Sequence, residues 1–147
     1  MVAVIEPGAV ASTGASALVA GAPSRAVAFD ADGPVPLERF VREVRAVAAG
    51  LPHAAHAINL CENRYDFLVA FCAAALRGQT TLLPATRAAA EVSHVMERHP
   101  DSYCVGDTAH APDAPRPPRY HELPATLPQA DGAPPHVDAD ALVAIGF

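Results

Sequence analysis

Between residues 26 and 106 short apolar runs alternate three times with helical segments, and this alternation constrains the fold more than any other feature of the chain. The runs are Ala-Val-Ala-Phe-Asp at 26–30, His-Ala-Ile-Asn-Leu at 56–60, Thr-Thr-Leu-Leu-Pro at 80–84 and Ser-Tyr-Cys-Val-Gly at 102–106. Strands that alternate with helices predict βαβ units around a parallel sheet, with right-handed crossovers. The runs are continuously apolar, as strands covered on both faces are. The expectation is therefore an α/β fold, a three-layer parallel-sheet module over residues 16–106.

The three helical segments differ in how they meet their surroundings. In residues 36–50, Leu37, Phe40, Val41, Val44, Val47, Ala48 and Leu51 share one stripe, and Glu38, Arg39, Arg42, Glu43 and Arg45 fall mostly opposite. That is an amphipathic surface helix, ended by Gly50 and Pro52. Residues 64–77 are apolar nearly all round, which predicts packing on more than one side. Asn63 is placed to cap this helix, Asp66 lies where a capping box needs an acid, and Gly78 suits the residue after the C-cap. In residues 87–99, Thr86 is the expected cap, Val92, Val95 and Met96 face inward, and Pro100 stops the helix. Asp32-Gly33-Pro34 reads as a turn and residues 16–20 as one helical turn.

The flanks have a different composition. Residues 1–15 carry no period and read as a loose leader. Residues 107–137 hold eight prolines and few large apolar side chains, the composition of a linker or loop, with a short strand expected at 119–123. Residues 138–147 form a strand candidate, and the chain stops on it without a polar tail, so the sheet is expected to be incomplete. A length of 147 residues suits one domain or part of a larger one.

Composition excludes several functions. The formal charge of −6 argues against a nucleic-acid partner. All ten basic residues are Arg, so a Walker A lysine, a Schiff-base lysine and a Ser-x-x-Lys site are ruled out within this chain. Cys61, Cys72 and Cys104 are too few and too scattered for a disulfide framework and read as free thiols in a reducing compartment. No basic n-region marks a signal peptide, and the apolar stretch 67–76 is too short to span a bilayer. A soluble, cytoplasmic protein is expected.

The search for chemistry yields weak signals. Glu91 and His94 have the spacing of a di-iron helix, but no second copy exists, and a solvated helix face explains them better. His53 and His56 straddle a loop–strand junction. Cys61 has no local activator and reads as a small buried hydrophobe. Asp30-Ala31-Asp32-Gly33 opens like a calcium loop without the remainder, and a turn suffices. Asn59, Glu62, Asn63 and Arg64 stand at the C-terminal end of a strand, where open α/β sheets bind ligands, yet capping and solvation account for them. No catalytic, cofactor-binding or metal-binding residue is assigned.

The order of segments nevertheless carries a resemblance. An A-F-D-x-D-G strand-turn precedes an amphipathic helix; then come a strand ending N-L-C-E-N, the helix R-Y-D-F-L-V-A-F-C-A-A-A-L-R-G, the strand T-L-L-P, and a helix before D-S-Y-C-V. Over residues 16–106, and again over 139–147, this resembles the N-terminal region of the adenylate-forming (AMP-binding) acyl- and aryl-CoA synthetases. The wording is nearest to the synthetase-like proteins of aryl-polyene pigment pathways. Asn63, Phe67, Ala70, Ala74 and Gly78 match the family's asparagine-led helix, and Leu82-Leu83-Pro84 match its following strand. The resemblance implies the first subdomain of such a ligase, with ATP, magnesium, and CoA or a carrier-protein thiol as the family's cofactors. In that family a strand like residues 141–147 runs into the loop T-S-G-S-T-G-x-P-K. That loop and the catalytic lysine lie outside this sequence, so the chain alone is expected to be inactive. Its expected partners are the remainder of the ligase or a second copy docked on the open sheet. A self-contained, flavodoxin-like binding module is the alternative.

Overall fold

Three of the four continuous apolar runs, at 56–60, 80–84 and 102–106, supply strands that pair in parallel. The fold is that of a computed structural model describing residues 14–109 and 115–147. The expected leader at 1–15 lies outside that range through residue 13. Its elements are β1 (Ala15–Ala17), β2 (Ala26–Asp30), β3 (Gly33–Pro36), α1 (Leu37–Gly50), β4 (His56–Asn59), α2 (Arg64–Leu76), β5 (Thr80–Leu83), α3 (Ala89–Arg98), β6 (Ser102–Gly106), β7 (Tyr120–Glu122), β8 (His136–Asp138) and β9 (Ala144–Gly146). The principal sheet has five strands, all parallel, in the order β7-β6-β4-β5-β9.

Successive side chains of a strand point to opposite faces, so each strand feeds two cores. Ala57, Tyr103 and Val105 join Phe40, Val44, Val69 and Ala73 beneath α1 and α2. Ile58, Leu60, Leu82 and Cys104 join Val92, Val95 and Met96 beneath α3. The result is three layers, with α1 and α2 on one face and α3 on the other. The crossovers β4–α2–β5 and β5–α3–β6 run in opposite directions over opposite faces, so they share one hand. The apolar circumference of α2 is explained by its two neighbours: it packs against the sheet and against α1. Its buried positions include Ala70, Ala73, Ala74 and Ala75, whose short side chains allow close approach.

Local chemistry sets the ends of α2. The Asn63 side chain accepts hydrogen bonds from the backbone N–H of Tyr65 (2.8 Å) and Asp66 (3.2 Å). At the other end Gly78 takes φ +70°, Gly78 N–H donates to Ala75 O and Gln79 N–H to Ala74 O. These are the paired bonds of a Schellman motif, and the left-handed conformation favours glycine there.

Several expectations are corrected. Residues 26–30 do form a strand, but β2 pairs antiparallel with β3, and Asp30 opposite Gly33 closes a two-residue hairpin. A two-residue connection is too short for a crossover, so β3 returns antiparallel to β2 and the parallel sheet begins at β4. Residues 16–20 are not a helical turn: β1 pairs with β8, which offers the backbone partners that one isolated turn lacks. Thr86 does not cap α3; its hydroxyl accepts from Ala88 N–H, one residue short of the helix, and Ala88 is the N-cap. Glu43 is buried rather than solvated. The strand expected over 138–147 is shorter: Asp138 ends β8, and Ala144–Gly146 alone joins the principal sheet, as an edge strand beside β5. The Pro-rich stretch, outside residues 110–114, is bound to the module. Arg119 at φ +53° turns the chain into β7 beside β6, Leu123 and Leu127 enter the core, and the Arg45 guanidinium donates to the carbonyls of Ala130, Gly132 and Ala133.

Gly106 permits the close pairing of β6 and β7, since a Cβ there would overlap the Tyr120 hydroxyl and ring. Gly106→Ala should destabilise the protein by about 1–3 kcal/mol. Urea unfolding should show part of that loss recovered in the double variant Gly106→Ala/Tyr120→Leu, because the two sites couple through one contact.

Candidate functional site

Connections leave β4 and β6 in opposite directions, toward β5 and toward β7. The crevice at their C-terminal ends is thus the topological switch point, the usual ligand position in an open parallel sheet. Backbone geometry brings Asn59, Cys61, Asn63 and Asp107 together there. The Asn59 amide donates to Phe67 O (3.0 Å), and its carbonyl accepts from Cys61 N–H (3.2 Å). The buried Asp107 carboxylate accepts from Asn63 N–H (2.7 Å) and Ala109 N–H (3.1 Å). The return arm of the expected capping box therefore comes from Asp107 and not from Asp66. Asn59 and Asn63 serve the fold, while Glu62 and Arg64 are exposed beside them.

A second, larger depression opens beside the start of α2. This cleft of about 630 Å³ is lined by Asp30, Arg39, Glu43, Tyr65, Asp66 and Leu127, among others. Arg39 bridges Asp30 (3.0 Å) and Glu43 (2.9 Å), and the Tyr65 hydroxyl donates to the other Glu43 oxygen. Burial, followed by the hydrogen bond to Glu43, pushes the Tyr65 phenol well above its ordinary range. Asp66 differs from its neighbours. Burial, the charge of Asp107 and that of Glu43 raise its carboxyl to about 6. Against these, the favourable position of an acid in the first helical turn is the smaller effect.

No protein-family model matches the chain, and no curated protein matches it. Assignment of chemistry thus rests on the geometry alone.

The remaining sequence candidates do not converge. Burial pushes the Cys61 and Cys104 thiols up to about 12 and that of Cys72 to about 11, which leaves all three protonated and poorly nucleophilic at neutral pH. His53 contacts Arg77 (3.0 Å), whereas the His56 ring lies 4.8 Å from that of His99. His94 is exposed and Glu91 partly so. Asp30 accepts from Asp32 N–H (2.9 Å), an Asx-turn that accounts for the Asp-x-Asp-Gly wording. Among the described residues no three His, Cys, Asp or Glu side chains are grouped to hold a metal ion.

Sequence reasoning missed Glu43, Tyr65 and Asp107. Glu43 stands beside Val44 and three residues after Phe40, so its position on the apolar stripe was visible. Its partners come from other elements and were not.

The cleft can hold one proton near neutrality, on Asp66. A carboxyl whose folded pKa lies above its ordinary value of 3.8 is less stable charged than neutral in the fold. Its cost to stability is present above the folded pKa and disappears as pH falls through it toward the unfolded value. Asp66→Asn should therefore raise the melting temperature at pH 7.5, by about 1 kcal/mol in free-energy terms after solvent screening. The gain should fade between about pH 6 and pH 4 in a series of thermal melts.

Proposed function

We propose that the chain is the front portion of an ATP-dependent carboxylic acid–CoA ligase of the adenylate-forming family. The observation that supports this reading is the pairing of β9 with β5. The two stretches that carry the family wording, 80–84 and 139–147, are distant in sequence but meet as parallel neighbours, with Leu82 opposite Ile145. Phe147 N–H donates to Leu83 O (3.2 Å). A phosphate loop following that strand would emerge at the C-terminal edge of the sheet, where such sheets bind ligands. The flavodoxin-like alternative fits less well. The strands β5-β4-β6-β7 keep the 2-1-3-4 order of that fold, but β9 joins at the opposite edge from its fifth strand.

In the proposed reaction a carboxylate oxygen attacks the α-phosphorus of ATP, giving an acyl-adenylate and pyrophosphate. A thiol then displaces AMP to leave a thioester. Charge developing on the phosphoryl group must be stabilised by preorganised donors. Those donors belong to the phosphate loop and a lysine supplied by the rest of the ligase, which is the partner this reading requires. Three unpaired thiols suit a reducing cytoplasm. No helix among the described residues is long and apolar enough to cross a membrane.

Sequencing the coding region beyond codon 147 tests the proposal. It should continue in frame into a Thr/Ser/Gly-rich loop ending in Pro-Lys, and a downstream region without one would sink the ligase reading. Isothermal calorimetry of the chain should give no saturable heat with ATP and magnesium at millimolar concentration. A micromolar Kd would place an ATP grip within these residues and overturn the division of labour proposed here.

A further inference from the structure

A cavity of about 280 Å³ lies on the α3 side of the sheet, where β4 ends. Its floor is Leu60 and Val92, both buried, and its far wall is Pro115 and Pro117. Each proline ring fixes its own φ, which limits the backbone freedom of that wall. Two guanidinium groups, from Arg87 and Arg116, complete the lining together with the Ser93 side chain.

The charge of this cavity contrasts with that of the chain. The protein carries a formal charge of −6, yet among the described residues no Asp or Glu lines the cavity. Among the described residues the Arg87 guanidinium makes one hydrogen bond, to Cys61 O (2.8 Å), and its other N–H groups are left for a ligand. It has no carboxylate partner among the described residues. Arg116 is held over the Tyr120 ring, 5.1 Å from its centroid, and is paired with Glu122. A guanidinium fork beside an apolar floor recognises an oxyanion attached to a hydrocarbon body.

We infer that this cavity binds a small organic anion, a single oxyanion head on a compact apolar group, with Arg87 holding the head and Leu60 and Val92 the body. The site belongs to this chain alone and does not depend on the ligase reading. Carboxylate and phosphate-ester heads share the required chemistry, and the test separates them.

The test titrates the full chain with benzoate, phenyl phosphate, benzyl alcohol and inorganic phosphate, following amide signals by NMR. Benzoate or phenyl phosphate should give saturable shifts at Leu60, Ala89 and Val92, and the tighter of the two identifies the head. Benzyl alcohol, which lacks the charge, and inorganic phosphate, which lacks the body, should each bind at least about tenfold more weakly. Arg87→Ala should weaken the better anion by about tenfold or more. Ala89→Leu, at an exposed helical position on the cavity lining, should block it sterically while the fold is retained. Equal binding of benzyl alcohol, shifts confined to other residues, or unchanged affinity in a folded Arg87→Ala or Ala89→Leu variant would each overturn the inference.

Discussion

Asp107 holds the start of α2 against the end of β6. Its carboxylate is buried, and it accepts the Asn63 N–H across a separation of 44 residues in the chain. A buried carboxylate is tolerable only when hydrogen-bonded, and one left without these N–H groups would be costly. The bond therefore couples two decisions, where α2 begins and how far β6 advances beside β4. Once Asn63 is held, its side chain is free to cap the helix, and α2 settles over the sheet.

Packing follows from that anchoring. α2 presents Ala70, Ala73 and Ala74 toward its neighbours, which lets α1 and the sheet approach closely. Small side chains contribute little burial each, so the core depends on close contact over many residues more than on a few large anchors. All five residues of β6 are buried. This strand lies between β4 and the edge strand β7, so it joins elements drawn from both halves of the chain.

The same economy of polar groups shapes what the surface can do. At the switch point, Asn59, Asn63 and Asp107 are committed to the backbone, so the crevice that a ligand occupies in many open sheets is filled from within. The Asp30–Arg39–Glu43–Tyr65 chain is likewise internally matched, which leaves Asp66 as the titrating group beside it. The Arg87 cavity lies on the other face of the sheet, where α3 and the Pro-rich strap leave a gap between them.

Local signals determined the elements. Hydrophobic period located α1 and α3, an apolar segment bounded by Asn63 and Gly78 located α2, and shorter continuous apolar runs located β4, β5 and β6, because these features act through neighbours a few residues away. Tertiary structure decided the partners. Whether residues 26–30 would join the parallel sheet or turn back on β3, whether Glu43 would be solvated or buried against Tyr65, and whether the prolines would form a linker or a strap all depended on groups far away in the chain. The candidate site was legible only as the position of Asn59 and Asn63 at a strand end. Asp107, Tyr65 and Arg87 reach their clefts through crossovers, and a crossover joins residues that no local pattern connects.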